Sequence, residues 1–144
     1  MPAMATDRAG SRTTVYRHRV RYFEADQQGV VFNMWYLGYF DEAMTLFLEE
    51  GGLPYQVMLD AGFDVQLVRS EIDWRSSLRW PDDACVEVGV ETVGRTSFAL
   101  GFTVRRQDGE MVAAGRTVYV VVAADGSGKR PVPPELAAAL GTPG

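Results

Sequence analysis

The apolar positions along the chain switch between two periods, and each switch marks an element. Tyr36, Leu37, Phe40, Ala43, Met44, Phe47 and Leu48 recur at i, i+1, i+4, i+7, i+8, i+11 and i+12, the spacing of one broad helical face. Asp41, Glu42, Thr45 and Glu49 fall on the other side. Asn33 is a permitted N-cap, Gly51-Gly52 offers a left-handed C-cap, and Pro54 stops continuation. The spacing predicts a helix over residues 34–48, about 22 Å long at 1.5 Å per residue, long enough to cross a small domain as its central core element.

Elsewhere the period is two. Tyr16, Val20 and Tyr22 alternate with Arg17, Arg19 and Arg21, predicting a strand over residues 15–24 with His18 on the tyrosine face. A short helix over residues 55–61 fits between Pro54 and Gly62. Residues 65–80 read as a long strand whose inward phase changes, Val65 and Leu67 being odd and Ile72 and Trp74 even, so a bulge is expected near residues 69–71. Trp80-Pro81-Asp82-Asp83 reads as a turn. Val86, Val88 and Val90, then Phe98, Leu100, Phe102 and Val104, mark two further strands, joined through Gly94-Arg95 and followed by Asp108-Gly109, a strong antiparallel hairpin signal.

Residues 111–123 are apolar on both sides around Tyr119-Val120-Val121-Val122, as in a strand covered on both faces. Asp125-Gly126-Ser127-Gly128 ends it, and Pro133-Pro134 introduces a short terminal helix with Leu136 and Leu140 on one side. Residues 1–14 lack periodicity and read as a flexible tail, leaving residues 15–144 as a single domain. Five strands and one long early helix predict an α+β fold, a five-stranded antiparallel sheet wrapped around one central helix. Pairing two copies edge to edge would cover the open sheet edge, so a homodimer is expected.

Composition narrows the function. A net charge of −5 argues against a nucleic-acid partner, which needs a concentrated basic surface. No apolar run approaches the ~20 residues of a membrane span, and residues 1–14 lack the apolar stretch of a signal peptide, so no membrane association and a cytoplasmic location are expected. One cysteine, Cys85, and one histidine, His18, leave neither a disulfide nor a metal-ligand cluster, and no metal is expected. His18, alone on a strand, reads as a packed or hydrogen-bonded group. The cations are almost all arginine, the better bidentate phosphate ligand. Those near turns are Arg75, Arg79, Arg95 and Arg130, with Lys129 beside the last.

The stretch before the long helix carries the chemistry. Residues 26–32 deliver a carboxylate (Asp26), a glycine (Gly29) and unpaired backbone N–H groups to the positive end of the helix dipole, which favours an oxyanion. A carboxylate facing such donors is a minimal toolkit for acyl transfer; an Asp-x-x-Gly turn of no chemical consequence is the competing reading. Aspartate is ionised at pH 7 and ready as a nucleophile, whereas a general base works better with a raised pKa. Asp41 and Glu42 lie off the apolar face. Ser76, Ser77 and Ser97 lack the Gly-x-Ser-x-Gly turn of a serine nucleophile.

Asp26-Gln27-Gln28-Gly29-Val30-Val31-Phe32-Asn33-Met34-Trp35-Tyr36, followed by Phe40-Asp41-Glu42-Ala43, resembles the 4-hydroxybenzoyl-CoA thioesterase family of hotdog-fold acyl-CoA thioesterases. The resemblance runs from about residue 15 to 134 and includes Trp80-Pro81-Asp82-Asp83. It implies hydrolysis of an acyl-CoA, with CoA part of the substrate and no separate cofactor, by homodimers often joined into homotetramers. It implies Asp26 as nucleophile or general base and the Asn33 backbone N–H as oxyanion donor, with Gly29 shaping the loop. Val30, Val31, Met34, Trp35 and Tyr36 would lie beside the substrate, and Arg75 and Arg95 would meet CoA. Many relatives carry His where this chain has Asn33, so an imidazole contribution is lost while the backbone donor survives. A non-catalytic acyl-thioester binding protein and an enoyl-thioester hydratase or dehydratase remain as alternatives.

Overall fold

The computed structural model describes residues 4–5 and 11–143. The period-two runs form β2 (Thr13–Arg19), β3 (Phe63–Trp74), β4 (Asp83–Val93), β5 (Ser97–Arg106) and β6 (Met111–Ala123), and a two-residue strand, β1 (Met4–Ala5), lies beside β2. They make one antiparallel sheet in the spatial order β1-β2-β4-β5-β6-β3. Helix α1 (Trp35–Glu50) packs on one face of it, and α2 (Tyr55–Asp60) and α3 (Pro134–Leu140) flank its C-terminal half. This is the expected α+β hotdog arrangement, and β6 sits inside the sheet between β5 and β3.

The core forms between the apolar stripe of α1 and the inward residues of β4, β5 and β6. Tyr36, Tyr39, Phe40, Ala43, Phe47 and Leu48 are buried from the helix; Val86, Val88, Phe98, Leu100, Phe102 and Tyr119 are buried from the sheet. Phe40 stacks flat on Phe102 at 4.3 Å. That stack needs Gly115 on β6: a Cβ there would lie 2.8 Å from the Glu71 carbonyl and against the Phe40 ring. Leu37, expected in the stripe, is instead 37% exposed, and Tyr39 takes its place in the core.

Several boundaries differ from the expectation, each for a local reason. Asn33 does not cap α1; Met34 occupies the cap position already in helical conformation (φ −63°, ψ −30°) and makes no side-chain cap bond. The chain enters through a tight turn in which the N–H groups of Trp35, Tyr36 and Leu37 donate to the carbonyls of Phe32, Asn33 and Met34. An N-cap side chain needs an extended residue at the boundary, and Met34 there is helical. Strand β2 ends at Arg19, because the Glu24 carboxylate accepts the Arg21 N–H and closes a 3-10 turn over Tyr22–Glu24. β3 ends at Trp74, after which the N–H groups of Arg75 and Ser76 both turn to the Val112 carbonyl. The bulge in β3 falls between Leu67 and Arg69, slightly before the expected place.

Of the expected tail, residues 1–3 and 6–10 lie outside the described residues. Residues 11–14 are not loose: Ser11, Arg12 and Thr14 are buried, and Thr13 opens β2. The Arg12 guanidinium covers the Phe47 ring at 3.7 Å and donates to the carbonyls of Phe47 (2.7 Å) and Ala139, tying the end of α1 to α3.

Replacing Gly115 with alanine should destabilise the protein by about 1 to 3 kcal/mol, since the added methyl meets an aromatic ring and a strand carbonyl that cannot both retreat. Chemical denaturation of the two proteins measures this, and an unchanged midpoint would mean that α1 lies farther from β6 than described.

Candidate active site

The loop between β2 and α1 is held by its own backbone. Ala25 bridges Val31, the Asp26 N–H donates to the Val30 carbonyl (2.8 Å), and the Gly29 N–H donates to the Asp26 carbonyl (2.9 Å). Gly29 has φ +81°, a left-handed conformation that a side chain would strain. From outside, the Val31 N–H donates to the Leu78 carbonyl (2.8 Å). Asp26 Oδ1 accepts the Gln28 N–H at 2.8 Å, an Asx turn that orients the half-buried carboxylate and leaves Oδ2 without a protein partner among the described residues. At the other end of the loop, the backbone N–H groups of Asn33 and Met34 find no acceptor among the described residues. These are the donors that a helix N-terminus can offer to an anion.

The two ends of the loop open on different clefts. Asp26 and Gly29 line one of about 580 Å³ with Tyr22, Phe23 and Trp80. Asn33 and Met34 line another of about 540 Å³ with Phe32, Leu37, Ser70, Ile72 and Trp74, between the helix start and the outer edge of β3. Aromatic rings wall both: Tyr22 meets Trp80 edge-on at 5.4 Å, Phe23 meets Trp35 at 5.6 Å, and Tyr36 meets Trp74 at 5.8 Å.

The other expected substrate residues divide. Met34 is exposed in the second cleft, and Trp35 is half-buried behind it. Val30 serves the loop through its carbonyl and lines neither cleft. Val31 and Tyr36 line neither cleft: at 3% and 1% exposure they belong to the core, because the loop bridge and the helix phase turn them inward. Burial pushes the Tyr36 hydroxyl up to about 12. Arg75 is exposed just beyond Trp74, at the loop's end of the sheet. Arg95, also exposed, is at the other end: it lies in the β4–β5 turn, whereas the near end of β4 is Asp83, paired with Arg19, so a single chain does not bring Arg95 to Asp26. Arg79 is the nearer cation, its Nη1 3.5 Å from the Gly29 carbonyl.

Beneath the loop lies a polar cluster that the sequence reading missed. The buried Glu24 carboxylate accepts the Tyr39 hydroxyl (2.7 Å) and the Arg21 N–H (3.0 Å), and its oxygens lie 2.9 and 3.2 Å from His18 Nε2. Tyr16 Oη is 3.1 Å from His18 Nδ1, so both imidazole nitrogens are engaged. His18 is therefore a packed, hydrogen-bonded residue, as expected. Burial opposes ionisation of Glu24, yet the bonds from Arg21, His18 and Tyr39 outweigh it and hold the carboxyl below its ordinary value. Burial first, then Glu24, pushes the Tyr39 hydroxyl far up. Tyr39 sits three residues from Tyr36 on the apolar stripe, and its hydroxyl was the available signal. Among the described residues no three His, Cys, Asp or Glu side chains are grouped to hold a metal, and no helix is long and apolar enough to cross a membrane.

An antiparallel sheet around one long helix, with a carboxylate loop at the helix N-terminus, defines the hotdog thioesterase class. The chain belongs to the thioesterase-like superfamily, whose family model matches residues 13–140. It is 34% identical over 108 residues to a candidate esterase of Aquifex aeolicus (strain VF5), across 75% of this chain and 84% of that one. The structure of a gentisyl-coenzyme A thioesterase superposes with a TM-score of 0.80 at 25% identity, covering 88% of this chain and 99% of that one. A mutant 4-hydroxybenzoyl-CoA thioesterase with an aspartate changed to asparagine, complexed with 4-hydroxybenzoyl-CoA, shares the fold (TM-score 0.80, 20% identity, 89% of this chain and 98% of that one).

The lowered Glu24 value gives a pH signature. The folded state favours its ionised form more than the unfolded chain does, so its contribution to stability is complete above the ordinary value of 4.5 and is lost as the pH falls through the lower folded value. The stability gap between the parent and Glu24→Gln should be constant from pH 6 to 8 and shrink below about pH 4.5. Denaturation midpoints across that range test it, and a gap unchanged at pH 3 would remove the assigned ionisation.

Proposed function

We propose that this protein hydrolyses an acyl-CoA thioester to the free acid and CoA, with Asp26 as nucleophile or general base and the Asn33 backbone N–H as oxyanion donor. The observation that carries the reading is the loop itself: among the described residues, an oriented carboxylate with one unpartnered oxygen at its start and two unpartnered N–H groups at its end. As nucleophile, Asp26 would add to the thioester carbonyl, the oxyanion would meet the Asn33 N–H, CoA would leave as thiolate, and water would cleave the resulting anhydride. As base, Asp26 would take a proton from the water that attacks.

The aromatic walls around Asp26 and Asn33 favour an aromatic or medium-length acyl group, in keeping with the gentisyl- and 4-hydroxybenzoyl-CoA relatives. Arg75 and Arg79 are the cations this reading assigns to the phosphates of CoA. The hydratase reading loses ground, because both nitrogens of the sole histidine are occupied by Glu24 and Tyr16. A homodimer, joined through β3 and assembled further into a tetramer, fits the edge of the sheet: β3 pairs only with β6 among the described strands and exposes Leu67, Val68 and Trp74.

Asp26→Asn keeps an oxygen for the Gln28 N–H and removes the charge, so the loop should survive while hydrolysis falls by about 10²- to 10⁴-fold. A thiol-release assay over aliphatic and aromatic acyl-CoAs measures this, and a rate within a few-fold of the parent would return Asp26 to the status of a turn residue. Since carboxylate and backbone donors need no metal, activity should be indifferent to a chelator; loss on chelation with recovery on adding zinc or magnesium would count against the mechanism. Light scattering at low micromolar concentration should find no 15.9 kDa monomer.

A further inference from the structure

Glu24 stands two residues before Asp26, and its backbone carbonyl accepts the Phe32 N–H at 2.9 Å, one residue before Asn33. It therefore grips both ends of the loop. Its side chain, 5% exposed as a residue, points away from the clefts and is bound by α1 through Tyr39, by β2 through His18, and by its own turn through the Arg21 N–H. Apart from the turn at the helix start, where the N–H groups of Trp35, Tyr36 and Leu37 donate to the carbonyls of Phe32, Asn33 and Met34, it is the Glu24–Tyr39 bond that ties this segment to α1. An arrangement in which Asp26 must face an oxyanion held by Asn33 depends on the loop's placement against the helix from which those N–H groups project.

We infer that Glu24 is a positioning residue for the hydrolysis: its carboxylate, clamped by Tyr39 and His18, fixes the placement of the Asp26 loop against the helix start that carries the Asn33 N–H. This rests on the roles proposed above for Asp26 and Asn33. The residue touches no substrate, so its loss acts on the turnover step and leaves binding intact. A full negative charge is the better acceptor for the Tyr39 hydroxyl and the His18 Nε2 proton, while a glutamine in the same place keeps one oxygen for Tyr39 and Arg21.

The test compares the parent with Glu24→Gln, Glu24→Ala, Tyr39→Phe and Asp26→Asn, using whichever acyl-CoA of the aliphatic and aromatic panel the parent cleaves fastest. Glu24→Ala should lower kcat by about tenfold to a hundredfold, the cost of a displacement on the order of 1 Å at the reacting atoms, with KM within about threefold. Glu24→Gln should recover part of that loss, and Tyr39→Phe, which removes only the hydroxyl, should lower kcat several-fold at unchanged KM. A merely structural role would change the folded fraction, read by circular dichroism, and leave kcat per folded molecule as in the parent. Should Glu24→Ala not fold, the Gln and Phe variants decide.

If those variants keep the parent's kcat while Asp26→Asn is inactive, the inference is overturned and the proposed function stands. It is also overturned if the variants lose activity through KM alone. If Asp26→Asn stays active, or the parent is inert on the whole panel, the proposed function itself falls and takes the inference with it.

Discussion

Helix α1 can lie close to the sheet because β6 offers no side chain at residue 115. Phe40 occupies the space and stacks on Phe102 one strand further on, so the helix axis is set by a glycine that is not on the helix. The arrangement at the start of the helix follows from that placement. The start of α1 projects its free N–H groups where the stack puts it, and Tyr36 and Tyr39, one turn on, fall inward to meet Trp74 and Glu24. A core contact between two phenyl rings thus sets where the first turn of α1 and its N–H groups lie, and unsatisfied donors and the helix dipole act only within that turn.

The polar groups beneath the loop work in the opposite sense to those on it. Glu24 is buried and has every neighbour it can use: two side chains, one backbone N–H, and a carbonyl engaged by Phe32. Asp26, two residues on, has one oxygen committed and one open. Two carboxylates so near in sequence therefore take different parts. One spends its hydrogen-bonding capacity on structure and is held ionised by donors despite burial; the other keeps capacity in hand at the rim of an aromatic cleft. Environment separates roles that residue type alone leaves equal.

What the sequence disclosed was whatever depends on period and on local turn chemistry. The α1 stripe, the alternation at Val86 to Val90 and Phe98 to Val104, the Asp108-Gly109 hairpin and the terminal helix at Pro134 all rest on neighbours a few residues away, and the structure has them. The loop after Asp26 and the free N–H groups at the helix start were legible for the same reason, as a turn running into a helix, whereas singling out Asn33 rested on the family resemblance. What stayed hidden depends on distant partners. Glu24 looked like the last residue of a strand, because the acceptor role that ends β2 and the bond to Tyr39 involve side chains up to 15 residues apart. Arg95 looked as suitable as Arg75 because both stand at turns, and only the strand register puts them at opposite ends. Arg12 looked like part of a tail, since its partners lie in α1 and α3.

That last contact bears on the order in which the protein is made. The Arg12 side chain reaches an acceptor 127 positions further along, at Ala139. During synthesis from the N-terminus, α1 and the first strands leave the ribosome long before α3 exists, so the guanidinium spends that interval without its Ala139 acceptor and the end of α1 without α3 beside it. The nascent chain therefore carries an apolar helix end in want of shelter until α3 emerges, and the interval is one in which a holding chaperone has something to hold.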